Sequence, residues 1–280
     1  MACHFVDNCA GSGINCNMEL MKVLLKPLQW IYCLYAFIVF VSIMLLIFPF
    51  AIIVNLFGRI RGGNMTIRLC MIWADLWFFL IFIWHKKIFE APQDLPAGRH
   101  GKKKSYIFVS NHISYLDGPI LVKALRQPFR PLGKVEMSKV PIFGFIYRNA
   151  IVSVDRSSVS NRAESVRILK SIINKGISVM VFPEGTFNMT TKPLKDFYEG
   201  AFRVAIETQT PVKPILMLDA YRRMPYETLL SLNPGQNRIL YLEEIPVAGY
   251  TISDIGRLKD KVYAIMEQKL IEYNAAWRRK

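Results

Sequence analysis

His112 and Asp117 lie five residues apart, directly after an apolar, strand-like run at residues 106–110 (Tyr-Ile-Phe-Val-Ser), so an imidazole and a carboxylate come together where a strand ends. An imidazole titrates near neutrality and takes a proton from a hydroxyl. A carboxylate on its far nitrogen fixes the tautomer and stabilises the imidazolium that forms. The pair is a candidate general base for activating an alcohol, although the same spacing also serves unrelated proteins as a helix cap or surface pair. On a regular helix, positions five apart lie about 140° off one another. The two side chains therefore meet only if the chain turns from strand to helix between them, with His112 before the helix begins. Asn111 is expected to position that turn or the imidazole, or to touch substrate, the alternative being a plain helix cap.

Four further blocks follow in order. They are Gly133-Lys134-Val135-Glu136 ahead of an apolar run at 140–144, Val152-Ser-Val-Asp155-Arg156, Val181-Phe182-Pro183-Glu184-Gly185-Thr186, and Val212-Lys213-Pro214-Ile215. With the His-x4-Asp pair they resemble the sequence blocks of the glycerolipid acyltransferases typified by 1-acylglycerol-3-phosphate acyltransferase, over roughly residues 105–220. The resemblance implies that His112 is the base and Asp117 its orienting carboxylate, as in a Ser-His-Asp triad whose serine is replaced by the substrate's own hydroxyl. It puts acceptor binding on Arg156. Lys134 is a second candidate for gripping a phosphate, because Arg offers a planar fork of donors and Lys a point charge.

The Glu184-Gly185-Thr186 turn closes an apolar strand and so falls at a carboxyl end of the sheet, where open α/β domains gather ligands. Gly185 lets backbone approach substrate, and Glu184 can accept from glycerol hydroxyls or hold an Arg. Lys195 resembles the Lys and Gly-Ala segment that commonly follows this block. One departure stands out: members with a glycerol phosphate acceptor usually carry Arg directly after Glu-Gly-Thr, where this chain has Phe187. A guanidinium is lost there, which keeps a lysolipid without phosphate, such as a lyso amino-acid lipid, open as acceptor.

The elements that must hold these groups alternate as an α/β domain does. Strands are expected at 106–110, 130–136, 151–154, 177–182, 212–218 and 238–243, with helices between them. A capping box at Asn161 and Glu164 starts one helix, and Ser253 caps the last. The expected fold is a mixed sheet flanked by helices from residue 91 to 280, preceded by membrane-anchoring helices at 21–90 and a poorly ordered leader at 1–20. A Pro- and Gly-rich stretch at 91–101 reads as the linker. The apolar segment at 140–147 reads as an acyl-chain wall or an ordinary core helix.

Residues 28–57 are almost wholly apolar and would make a helix about 45 Å long, against a hydrocarbon core of about 30 Å. Pro49 favours a kink. A second apolar run at 69–84 holds one charge, Asp75, which needs a partner or water if that run is a core helix. Lys22, Lys26, Arg59, Arg61, Arg68, Lys86 and Lys87 make every flank basic, a pattern that fits a bent or re-entrant helix pair better than two full spans.

Of the 280 residues, those at 85–280 hold 31 of the 36 basic side chains and 18 of the 21 acidic ones, a net +13 of the +15 total. Such basicity suits nucleic acid, anionic lipid or phosphorylated substrates, and the apolar N-terminal part decides for lipid. All five cysteines precede residue 71, the chain lacks Gly-x-Ser-x-Gly, and its four histidines form no metal-ligand cluster, so neither a covalent acyl-enzyme nor a metal or other cofactor is expected. The resemblance implies a membrane enzyme, its catalytic domain on the cytoplasmic face. Such an enzyme moves a fatty acyl group from acyl-CoA or acyl carrier protein to the free hydroxyl of a lysophospholipid, lysophosphatidic acid first among them. Partners are then membrane lipid, the lysolipid and the acyl donor, with no nucleic acid. A non-catalytic lipid-binding protein of the same fold is the alternative from another class.

Overall fold

The runs Ser178–Val181 and Val212–Met217 are buried along their whole length, as strands covered by helices on both faces must be. They lie inside a mixed sheet in the computed structural model, which describes residues 13–91, 104–154 and 159–278. In chain order its strands are Ile83–Phe89 (β1), Ile107–Val109 (β2), Phe129–Lys134 (β3), Val152–Val154 (β4), Ser178–Val181 (β5), Val212–Met217 (β6) and Gly235–Tyr241 (β7). Among the described residues they are ordered β1-β7-β6-β2-β5-β3-β4. β6 and β7 pair antiparallel and every other neighbouring pair is parallel. β2, β3, β4, β5 and β6 therefore end at one edge, and that edge carries the site.

The helices are Gly13–Asn55 (α1), Gly58–Leu80 (α2), Asp117–Ala124 (α3), Phe143–Ala150 (α4), Val159–Ile173 (α5), Gly200–Glu207 (α6), Ala220–Arg223 (α7) and Ile255–Glu272 (α8). Strand alternation sorts the core into two layers. Ile107, Val109, Val179 and Val181 pack with α5, α6 and α8 through Leu169, Phe202 and Leu258. Phe108, Met180, Ile215 and Met217 face the other way, onto Phe78 of α2 and Ile120 of α3.

α1 and α2 form an antiparallel pair joined by a turn at Leu56 and Phe57. The indole nitrogens of Trp77 and Trp73 donate to the carbonyls of Ala36 and Phe40 at 2.9 and 3.3 Å. A Cβ on Gly62 would stand 2.5 Å from the Val54 carbonyl oxygen, so only glycine allows the two backbones this close. Over Leu25–Asn55 α1 is long and apolar enough to cross a membrane, and little of it is buried. Pro27 and Pro49 both lie inside it.

The N-terminal region differs from expectation in two ways. Helix begins at Gly13, so the leader read as poorly ordered is helical over its last part. The second apolar run is not one helix: α2 ends at Leu80, Phe82 takes φ +54, and β1 begins at Ile83. Residues 83–89 thus leave the supposed anchor and join the sheet edge beside β7, which makes Lys86 and Lys87 strand residues rather than the flank of a span. α2 also buries one face on the domain, the core-helix alternative, and its partly exposed Asp75 pairs with Lys123 at 2.8 Å and Arg126 at 2.6 Å.

Two caps also differ. α5 starts at Val159, which puts Asn161 inside the helix. α8 is preceded by a 3-10 turn, Ile252–Asp254, capped by Thr251 and Asp254 rather than by Ser253. The linker at 91–101 lies, beyond Ala91, outside the described residues.

Candidate active site

β2 stops at Val109, and the next residue but one fixes where the loop goes. The Asn111 side-chain amide donates to the Met217 carbonyl at 3.1 Å, and its carbonyl accepts from the Met217 amide at 2.9 Å. One side chain thus continues the β2–β6 ladder past the end of the strand. Asn111 is 3% exposed and both its polar ends are occupied, so it positions the loop. It does not cap α3, and holding the turn is one of the roles its place in the sequence suggested.

His112 follows in the loop, and Asp117 is the first residue of α3, so the strand-to-helix turn falls between them as the spacing requires. Asp117 Oδ2 lies 2.8 Å from His112 Nδ1 and also accepts from the amides of Ile113 at 2.6 Å and Ser114 at 2.9 Å. An oxygen that takes two amide protons is an acceptor, so Nδ1 carries the hydrogen and Nε2 is left as the basic nitrogen. The imidazole keeps 22% of its surface exposed, and the carboxylate has none. The imidazole is therefore reachable while the carboxylate beside it is shielded.

The imidazole also sits between aromatic rings. Phe182 stacks on it at 4.0 Å between centroids and 15° between planes, and Phe187 tilts over it at 4.4 Å. Tyr115 meets the edge of Phe187 at 5.0 Å, and Tyr226 stacks on it at 6.0 Å. The position where an Arg was expected thus carries an apolar wall for His112. Phe182, Tyr115 and Tyr226 were not singled out in the sequence, because an aromatic in a mostly apolar chain gives no signal until the fold places it.

Glu184 is held by two backbone amides. Its side chain is fully buried. One oxygen accepts from the His112 amide at 2.7 Å and the other from the Lys195 amide at 2.8 Å. The carboxyl thus braces the His112 backbone against the loop that holds Lys195. The Asn188 amide donates to the His112 carbonyl at 2.7 Å, so the same turn holds both backbone groups of the base. Gly185, at φ +75, makes that turn possible. Thr186 and Lys195 meet on the rim, the ammonium 3.0 Å from the hydroxyl. Lys134 is exposed at the end of β3. Arg156 lies outside the described residues.

Burial pushes the Glu184 carboxyl from its ordinary 4.5 up to about 8. The Lys195 and His112 amides pull against this, and the charge of Asp117 adds to it. Between those two values the folded protein keeps a proton that the unfolded chain releases, so this group's contribution to stability is complete below 4.5 and lost as pH rises through about 8. Glu184→Gln stays neutral but turns an NH2 toward one of the two amides. It should therefore flatten the decline of the unfolding temperature between about pH 5 and 8 and lower kcat by about tenfold to a hundredfold through a displaced base. Thermal unfolding in detergent at several pH values, with parallel activity assays, checks both. A pH slope equal to the parent's contradicts the assignment.

Fold and site together define a class: a mixed α/β sheet with a hydrogen-bonded His-Asp pair at its carboxyl edge. The family model described as Acyltransferase matches residues 88–218. An uncharacterized acyltransferase of Schizosaccharomyces pombe is 30% identical over 174 residues, 61% of this chain and 62% of that protein. The chloroplastic 1-acyl-sn-glycerol-3-phosphate acyltransferase of Arabidopsis thaliana is 30% identical over 60% of this chain and 46% of its own length. The alpha form of the human enzyme of that name is 28% identical over 56% of each. The match thus spans about half to three fifths of these relatives. The crystal structure of the 1-acyl-sn-glycerophosphate (LPA) acyltransferase of Thermotoga maritima has the same fold, with a TM-score of 0.70 at 18% identity over 90% of this chain and 99% of that one. Over the matched residues the chain is similar to acyltransferases of this kind.

Proposed function

We propose that the protein is a membrane-bound O-acyltransferase that moves a fatty acyl group from acyl-CoA or acyl carrier protein to the free hydroxyl of lysophosphatidic acid, giving phosphatidic acid. The observation that carries this reading is the bare Nε2 of His112, held by a buried carboxylate at a reachable sheet edge. Nε2 takes the proton of the acceptor hydroxyl as its oxygen attacks the thioester carbonyl carbon. The tetrahedral oxyanion collapses, the C–S bond breaks, and the thiolate leaves with the proton from the imidazolium. The acceptor's own oxygen is the nucleophile. Lys134, Arg156, Thr186 and Lys195 supply candidate contacts for the acceptor's phosphate.

Membrane attachment is assigned to α1 and α2. α1 touches the domain near both ends of its apolar stretch, through Gln29 on Asn233 at 3.0 Å and through Phe48 against Phe145 of α4 at 5.7 Å. It therefore runs along the domain, which supports a helix pair dipping into one leaflet rather than a span standing away from it. The basic flanks favour the cytoplasmic side.

A second reading, the same chemistry on a lysolipid without phosphate, is favoured by the aromatic wall that Phe187 makes in place of a cation. Labelled acyl-CoA supplied with a panel of lysolipids to the full chain in vesicles separates the two. Transfer to lysophosphatidic acid above all others supports the first, transfer confined to uncharged or amino-acid lysolipids supports the second, and no transfer to any refutes both.

A further inference from the structure

The segment between α7 and β7 ties the catalytic base to α1. At one end, the Ser114 hydroxyl, two residues after His112, donates to the Met224 carbonyl at 2.6 Å, and Ser114 pairs with Pro225 in an antiparallel bridge. Tyr226 then stacks on the Phe187 ring that covers the imidazole. At the other end, Leu232 is buried, its carbonyl accepts from the Cys33 thiol at 3.9 Å, and Asn233 accepts from Gln29. The segment is thus anchored beside His112 and beside the first turns of the apolar stretch of α1.

Between these anchors the chain makes a tight turn, Leu229–Ser231, whose polar groups are satisfied internally. The Thr228 hydroxyl accepts from the Leu230 amide at 3.1 Å, the Ser231 hydroxyl donates to the Thr228 carbonyl at 2.6 Å, and Asn233 donates to the Ser231 carbonyl at 2.6 Å. This wiring holds two adjacent leucines outward, Leu229 at 60% and Leu230 at 51% exposure. Single exposed apolar side chains are ordinary, but a contiguous apolar surface marks a contact. Here the turn packs against α1, and Leu25, Leu28 and Trp30 are likewise exposed on the part of α1 the segment grips. Arg222, exposed just before the segment, adds a cation suited to anionic headgroups.

We propose that the Leu229–Ser231 turn is a second contact with the phospholipid bilayer, seated at the interface beside the start of the apolar stretch of α1, and that it sets the mouth of the active site at headgroup level. The inference rests on the reading of α1 as a membrane anchor. Lipid around the turn holds the 224–233 segment, and with it Tyr226 and Phe187, where a lysolipid moving out of the leaflet meets Nε2 without crossing water.

The test uses the full chain in vesicles of phosphatidylcholine and phosphatidylglycerol, with the photoreactive residue p-benzoylphenylalanine placed singly at Leu230, at Phe37 on α1 or at Ile271 on α8. Lipid adducts at 230 and 37 but not at 271 are expected. An adduct at 37 without one at 230 overturns this inference and leaves the anchor standing. Adducts at all three positions overturn it as unspecific, and none at 37 removes the anchor and the inference with it. A kinetic arm follows the Leu229→Glu, Leu230→Glu double variant. KM for a long-chain lysolipid in vesicles should rise roughly tenfold or more, while a short-chain, water-soluble lysolipid is acylated within about twofold of the parent rate. Equal losses with both acceptors would make the leucines structural and overturn the proposal.

Discussion

His112→Ala is expected to lower kcat by about a thousandfold or more, within the range that a positioned general base contributes. The substitution removes the nitrogen that takes the acceptor's proton and leaves the surrounding frame intact. Glu184 and Asn188 hold the backbone of residue 112 through its amide and carbonyl, and those bonds do not depend on the side chain. Binding of acyl donor and lysolipid should therefore survive, giving a loss in kcat with little change in KM. Initial rates with labelled acyl-CoA in vesicles, beside a circular dichroism check on folding, read this out. A variant retaining a tenth of the parent rate would exclude the imidazole as the base.

Asp117→Asn should cost about a hundredfold in kcat, for a reason peculiar to this site. Three donors converge on Oδ2: His112 Nδ1 and the amides of Ile113 and Ser114. An asparagine must present its oxygen to them, since an NH2 there would face three donors. The tautomer of His112 is thereby kept, and what is lost is the negative charge that stabilises the forming imidazolium. The new NH2 falls where Asp117 Oδ1 is buried with no hydrogen-bond partner among the described residues, at a cost to stability of about 1–3 kcal/mol. Asp117→Ala should destabilise more, because two buried amides lose their acceptor and the strand-to-helix turn loosens. Paired kinetics and unfolding midpoints separate the variants. An asparagine variant with parental kcat would show that the carboxylate only shapes the turn.

How much of this was legible in the sequence depended on how local the cause was. The His112–Asp117 pair and its turn were readable because five-residue spacing and a preceding apolar run are local facts. The strands at 107–109, 178–181 and 212–217 were found to within a residue or so for the same reason, since full burial shows as continuous apolar runs. β1 was not readable: Phe79 to Trp84 is apolar without a break, and only pairing with β7, some 150 residues later, turns Ile83–Phe89 into a strand. Glu184 and Asn111 were noticed as residues, and Asn111 was expected to hold the turn, but the backbone groups that satisfy them were not foreseen. Each is satisfied by backbone amides or carbonyls far away in sequence, and no side-chain pattern announces those. Phe187 was visible as a departure from the family pattern, and its contact with the imidazole emerged only in three dimensions. The role given to Arg156 falls outside the described residues and still rests on the resemblance.

The central claim is that the acceptor hydroxyl, deprotonated by His112, attacks the thioester directly. Rapid denaturation of the full chain after mixing with radiolabelled acyl-CoA, first without and then with lysolipid, tests it most directly. Direct attack leaves no acyl group bound to protein at any time and gives labelled product only once lysolipid is present. A labelled acyl-protein that forms without acceptor and passes its label to lysolipid when one is added would contradict it.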